Sequence, residues 1–554
     1  MAENFLLKCF EHAYFSCIYS REVLKLRKMQ KNVLLKGAMT ILGASIITRI
    51  LGFVFRIYIA EKLDAQGMGL YQLVTSLYML AITFTTSGIS LAVSCMISEN
   101  IETGRYGNSR YILKISIFWA AFISTLVLIA LLVFAVPISQ NVLRDPRTLY
   151  SIIFLAPSLP FMAVASCVKG YFYALRKSFH PSNSTVIEQI AKMLFIFCLI
   201  NFYISRGDEY ACAIVSLGMT VGEVVSCIYI GIIYYVQKKS TQKQNFGMRK
   251  ILSKILKISV PVQTSATFSS ALRLAENVLI IEGLKIFTHG DHIAATGTYG
   301  IIKGMVLPLL LFPTSFLQAV IIVLIPELSG ASAARKESTI KRACQKALQL
   351  TILMGVYITA IFLLFPGEIS SLFYKNPNVA PMIKSLCILC PLMYLEMVCV
   401  GILNAIGEQI ASMKYRIIDG ALRLVLIWVL VPKGGVDAFL IIMVMSNIFT
   451  SMLNLYRLLK VTCLPLCLNQ WIIKPVIAIL IPSFILTVIK NKIIEIFPNW
   501  LAILSLGLII MAIYLIFLFI FKCLGTSEVD FLKTCLKSKS KTKCNGKNKY
   551  ISKQ

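Results

Sequence analysis

From Gly37 to Phe521 the chain is a succession of apolar runs, each close to the length of one bilayer crossing and separated from the next by a short polar break. A helix needs about 20 such residues to cross the hydrocarbon core. The first six runs are Gly37–Ala60, Met68–Ile97, Ile112–Val136, Leu149–Tyr173, Val186–Ile204 and Ala211–Val236. The next six are Ile258–Gly283, Gly297–Pro326, Ala343–Phe365, Ala380–Leu403, Tyr415–Val431 and Ala438–Leu459, followed by Trp471–Ile489 and Leu501–Phe521. About fourteen transmembrane helices are therefore expected, in an all-α polytopic membrane protein. An even number puts both termini on one side.

Composition agrees. Of 554 residues, 57% are hydrophobic and only 14% charged, and the mean hydropathy is +0.78, more apolar than a soluble protein of this size needs. The net charge of +30 would by itself suggest nucleic acid. Its distribution argues otherwise, because the cations gather in short loops and tails between apolar runs, where they act as orientation signals facing anionic lipid. Loops on the side of the termini carry Arg105, Arg110, Lys114, Arg176, Lys177, the cluster from Lys238 to Lys254, Arg335 to Arg342, Lys414, Arg457 and Lys460. Opposite loops hold little beyond Lys62, Arg144, Arg147, Arg206, Lys285, Lys375, Lys433, Lys490 and Lys492. Both termini are thus expected in the cytoplasm and the protein in the cell membrane.

The sixteen cysteines are mostly scattered singly through apolar runs, where reduced cysteine packs as a small hydrophobe. Cys387 and Cys390 form a CxxC inside an apolar run with no second pair, so no metal site is expected. No cofactor is expected either, and energy would come from the membrane potential or a monovalent cation.

The expected organisation is a tail at residues 1–36, a first lobe of six helices at 37–236, a basic linker at 237–257, a second lobe at 258–460, two added helices at 461–522 and a basic tail at 523–554. The KILSKILK end of the linker reads as a short amphipathic segment on the membrane surface. The two lobes read as a duplication. With Tyr71 aligned to Tyr299, GLYQLVTSLYML lies over GTYGIIKGMVLPL, Glu99 falls on Glu327, and Arg49 meets Arg273 with about four extra residues in the second loop.

Charges inside apolar runs are the candidates for function, because an arginine at the centre of a span costs at least about 2.5 kcal/mol and faces protein or a water-filled cavity. Arg49 lies near the middle of the first run and Arg56 seven residues on, close to two helical turns, which puts both on one face. Other embedded cations are Lys169, Lys192, Arg273, Lys303, Lys384, Arg423 and Lys474; the anions are Glu188, Glu223, Glu276, Glu396 and Asp419. Spacings of three and four predict local pairs, Glu188 with Lys192, Asp419 with Arg423 and Arg273 with Glu276. What remains is a cationic surplus of Arg49, Arg56, Lys169 and Lys303 against Glu223 and Glu396. Lys303 sits among Gly300, Gly304 and Pro308, a broken-helix pattern that lines cavities. Cations in a dry cavity bind phosphate, so the expected cargo is an anionic, phosphate-bearing molecule such as a lipid-linked diphosphate glycan.

TRILGFVFRIYIAEKLDAQGMGLYQL, followed by TTSGISLAVSCMISE, resembles the opening of the stage V sporulation protein B family, within the multidrug/oligosaccharidyl-lipid/polysaccharide exporter superfamily. TYGIIKGMVLPLLLFPTSFLQAVIIVLIPELS is similar to the eighth span and following turn of that family. The resemblance covers most of Lys36 to Lys522. It implies a MATE/MurJ-like fold of two pseudo-symmetric six-helix lobes plus two C-terminal helices, whose groove takes an isoprenoid tail. It also implies alternating access and outward movement of an undecaprenyl-pyrophosphate-linked peptidoglycan precursor such as lipid II, for spore cortex synthesis. Matched to the more distant MurJ-type flippases, Arg49 sits where they have the first of two arginines in that helix. Arg56 falls one residue beyond their second, and Lys303 replaces an arginine of their eighth span. On this reading Arg49, Arg56, Lys303 and Arg273 bind substrate, and Glu276, Glu223, Glu396 and Lys169 are gating or coupling candidates. The partners would be the lipid-linked glycan, membrane lipids and cell-wall polymerases, with no nucleic acid.

Besides an exporter of another polysaccharide precursor, two other readings are a sodium- or proton-coupled multidrug antiporter of the same superfamily and a membrane-embedded enzyme. The first needs an acidic residue in the cavity of the first helix, and none lies between Gly37 and Ala60. The second needs carboxylates on sizeable external loops, and these loops are short.

Overall fold

The computed structural model describes residues 2–102, 108–237, 248–334, 336–464, 469–496, 499–521 and 523. The expected tail beyond Cys523 and the centre of the basic linker lie outside the described residues. Among the described residues every regular element is a helix, but the expected spans Leu149–Tyr173, Gly297–Pro326 and Ala380–Leu403 are each divided among two or more of them.

Boundaries differ where the chain passes through a turn without leaving the helical path. The first two expected spans share the helix Ala2–Thr86, which also takes in the expected N-terminal tail and bends at Asp64, where φ is 54°. A short polar side chain tolerates that left-handed backbone. The eleventh and twelfth share Gln409–Thr462, bent at Gly435 with φ 55°. Nine helices among the described residues are long and apolar enough to cross a membrane, or ten with the pair Pro146–Leu155 and Ser158–Ala174 joined across its 42° bend. The number falls below fourteen partly because Gly43–Ile101, at 59 residues, and Gln409–Thr462, at 54, are each more than twice the length one crossing requires. KILSKILK is no separate surface element; it opens the continuous helix Met248–Phe287.

Large apolar side chains face outward along these helices, including Phe118 at 63%, Phe202 at 71%, Trp428 at 69% and Phe484 at 77% exposure. In water that surface would drive aggregation; against acyl chains it is the expected exterior. This is a multi-pass membrane protein.

The chain forms two compact units, one of residues 1–323 and 413–446, the other of 324–412 and 447–554. The division does not follow the linker at 237–257, because Met248–Phe287 and the segment from His292 to Leu311 pack on the first helix. That packing is close. A methyl group on Gly300 would run into the Ala65 carbonyl oxygen and the Gly69 nitrogen, and one on Gly69 into the Thr296 carbonyl. Tyr71 and Tyr299, aligned in the sequence repeat, are both buried here. In the other unit Glu337–Leu364 packs on Cys390–Ala405, Tyr357 donates to the Gly507 carbonyl at 2.9 Å, and Lys490 pairs with Glu368 at 2.8 Å.

Candidate functional site

The first unit holds seven of the eight candidate residues, all but Glu396. Arg49, partly buried, donates through Nη2 to the side-chain oxygen of Gln318 on Thr314–Ala333. Phe53, one turn on, stacks on Phe312 with ring centroids 4.0 Å apart. Arg56 is also partly buried. Among the described residues neither arginine has a carboxylate within ion-pair distance, so both carry an uncompensated charge on one face of the helix.

Lys303 lies on the π-helical turn Gly300–Val306. A π turn inserts an extra residue into the helical ladder and is common at functional sites; here Gly300 and Gly304 allow the close approach and Pro308 lacks the donor of a regular turn. The structure corrects the expectation that Lys303 belongs to the unpaired surplus. Its ammonium sits 2.9 Å from Glu276 Oε1 and 5.8 Å from the centre of the Phe439 ring. The other oxygen of Glu276 faces Arg423 Nη2 at 3.3 Å. Arg423 also reaches Asp419 at 3.4 Å, as its four-residue spacing predicted, and Asp419 accepts from Ser446 at 2.7 Å. Glu276 is 4% exposed, so one buried carboxylate joins the turn bearing Lys303 to the helix bearing Arg423.

Two local ion pairs expected from spacing are not formed, and their acids take partners on other helices instead. Arg273 donates to Ser270 Oγ at 3.0 Å, while Glu276 turns to Lys303 and Arg423. Glu188 pairs with Lys169 at 3.7 Å rather than with Lys192, whose ammonium lies 5.0 Å from the centre of the Phe55 ring. Glu223, 8% exposed, is within electrostatic reach of Glu188, Lys169 and Lys192. Glu396 belongs to the other unit, where it accepts from Thr450 at 3.1 Å. Of the eight residues singled out, the structure brings Lys303 and Glu276 together in one network and Lys169 and Glu223 in another. Arg49 and Arg56 stay on the first helix.

Sequence spacing missed two features. Spacing pairs Arg423 within its own helix, and only the fold shows it sharing Glu276 with Lys303. A third network joins residues at span ends and loops expected on the outer side: Arg147 pairs with Asp145 at 2.7 Å and approaches His292 Nδ1 at 3.3 Å, while Arg144 reaches Glu282 at 3.0 Å. Asp145, 1% exposed, also accepts from the backbone of Arg147 and so caps the turn it stands on. These opposite-side cations are therefore held to carboxylates. No group of three or more His, Cys, Asp or Glu among the described residues could hold a metal ion.

Residues 34–332 match the family model described as polysaccharide biosynthesis protein, more than half of the chain. The chain belongs to the polysaccharide biosynthesis protein family. This family member is 25% identical over 514 residues to the stage V sporulation protein B of Bacillus subtilis (strain 168), covering 90% of this chain and 98% of that protein. It is 22% identical over 419 residues to the lipid II flippase MurJ of the same strain, covering 71% of this chain and 76% of that one. A solved structure of lipid II flippase MurJ in an inward closed conformation superposes with TM-score 0.65 at 17% identity, over 86% of this chain and 97% of that chain. An inward-facing multidrug resistance MATE family transporter of the MOP superfamily superposes with TM-score 0.59 at 13% identity, over 77% and 98%. The polysaccharide biosynthesis family member thus has the MATE/MurJ-like fold.

Proposed function

We propose that this protein is a flippase that carries an anionic lipid-linked glycan, a peptidoglycan precursor such as lipid II made for the spore cortex, across the cell membrane by alternating access. The observation that carries the reading is the pair Arg49 and Arg56, two cations on one face of a membrane helix with no carboxylate in ion-pair distance among the described residues. A diphosphate headgroup supplies the missing negative charge and enough acceptor oxygens for both guanidinium forks. Lys303 and Arg273 would complete the headgroup site, and Glu276, Glu223, Glu396 and Lys169 would gate or couple it. Family membership and the likeness to a lipid II flippase support the cargo class. A ligand moves such a protein between states only through its difference in affinity for them, and closing cations around a diphosphate supplies that difference.

On this reading both termini are cytoplasmic, catalysis is no part of the activity, and cell-wall polymerases consume the product. Reconstitution in vesicles with fluorescent lipid II tests it, with a teichoic-acid precursor as competitor. Protein-dependent movement of lipid II to the far leaflet, little affected by the competitor, supports the reading; movement no faster than in empty vesicles refutes it.

A further inference from the structure

The Glu276 carboxylate is placed as a phosphoryl group would be. It offers one oxygen to the Lys303 ammonium at 2.9 Å and the other to Arg423 Nη2 at 3.3 Å. Two cations sharing the two oxygens of one anion is the geometry by which lysine and arginine hold phosphate. The cations here outnumber the acids. Lys303, Arg423 and Arg273 stand against Glu276 and Asp419, and Arg273 is within electrostatic reach of a further arginine, Arg416. Arg423 also keeps a buried Nε with no hydrogen-bond partner, a donor with capacity for one more acceptor than the resting network supplies. The lysine that shares Glu276 sits on a π turn, an irregularity frequent at functional sites.

We infer that Glu276 is a built-in counter-ion that the diphosphate of the cargo displaces from Lys303 and Arg423, so that Arg423 becomes a headgroup ligand and Glu276 sets the affinity. The inference rests on the diphosphate reading of the site. Empty, the site is held together by buried Glu276, and two partly buried cations are not left facing each other. Loaded, the phosphoryl oxygens take both cations and Arg423 Nε, and Glu276 is released. The exchange explains why a carboxylate stands in a site that is cationic overall. It weakens binding enough for the cargo to leave on the far side.

Equilibrium binding of farnesyl diphosphate to the full-length protein in nanodiscs tests this, with farnesol as the uncharged control. Glu276→Gln keeps an acceptor oxygen for Lys303 but removes the competing charge, and it should bind at least tenfold more tightly than the wild type. Arg423→Gln should bind at least tenfold more weakly. Asp419→Asn, which frees Arg423 from its other acid, should tighten binding in the same direction by a smaller factor and serves if Glu276→Gln does not fold. Arg49→Ala reports on the underlying reading. Weakened binding by Arg49→Ala together with unchanged or weaker binding by folded Glu276→Gln or Asp419→Asn overturns the exchange and leaves the diphosphate site standing. Binding of farnesyl diphosphate no better than farnesol by every protein overturns both.

Discussion

Lys303 and Glu276, 27 residues apart in sequence, meet at 2.9 Å across two helices, and this contact couples the one π turn that carries a charge among the described residues to the helix that opens the second half of the repeat. A cation near the middle of a membrane segment is costly unless something receives it. Here the receiver is a carboxylate that also holds Arg423.

Stability should depend on Glu276 far more than on an acid at the surface. Breaking a buried pair by removing one partner costs roughly 3–5 kcal/mol, and Glu276→Leu strands two cations. The Lys254–Glu99 pair, at 2.6 Å but with Glu99 at 57% side-chain exposure, is worth about 0–1 kcal/mol. Thermal unfolding of the detergent-solubilised protein should show a large loss of melting temperature for Glu276→Leu and almost none for Glu99→Leu.

Gly300→Ala should loosen the crossing of the first helix with the segment from His292 to Leu311. The added methyl group meets the backbone of Ala65 and Gly69, which cannot rotate away, and such overpacking costs about 1–3 kcal/mol. Gly43→Ala meets nothing within 4 Å and should leave melting unchanged or slightly raised, since alanine is the better helix former. Equal melting temperatures for the two variants would mean that the helices do not cross so closely.

Cys463 is exposed at the left-handed end of Gln409–Thr462, beside Arg457 and Lys460. With a variant keeping Cys463 as its single cysteine, a membrane-impermeant maleimide should label inside-out vesicles and not intact cells. A second variant with its single cysteine at residue 207, between the fifth and sixth spans, should behave in the opposite way. Labelling of both from one side would overturn the proposed topology.

The fold was legible because bilayer length and hydrophobicity leave a sequence little freedom. The break around Lys303 was legible too, since Gly300, Gly304 and Pro308 mark it, and the structure places a π turn over Gly300–Val306. The bend at Asp64 was not, because an aspartate in an otherwise helical run carries no breaking signal as strong as glycine or proline. Ion pairing was the least legible. Spacings of three and four residues report neighbours on one helix, whereas Glu276 and Glu188 found partners on other helices. A buried acid takes the cation that packing brings to it, and packing is a property of the assembled bundle. Arg49 and Arg56 have no acid on their own run between Gly37 and Ala60, and that no other helix brings one within ion-pair distance among the described residues is again visible only in the fold.

The most direct test of the account is the rate at which vesicles containing Arg49→Ala move fluorescent lipid II, set beside wild type, with folding checked by thermal melting. Loss of the Arg49 charge should reduce transport at least about tenfold, the equivalent of about 1.4 kcal/mol, with melting little changed, because Arg49 is held by neutral Gln318 and strands no buried acid when removed. Transport by a folded Arg49→Ala protein at the wild-type rate would contradict the claim that the unpaired cations of the first helix receive the diphosphate.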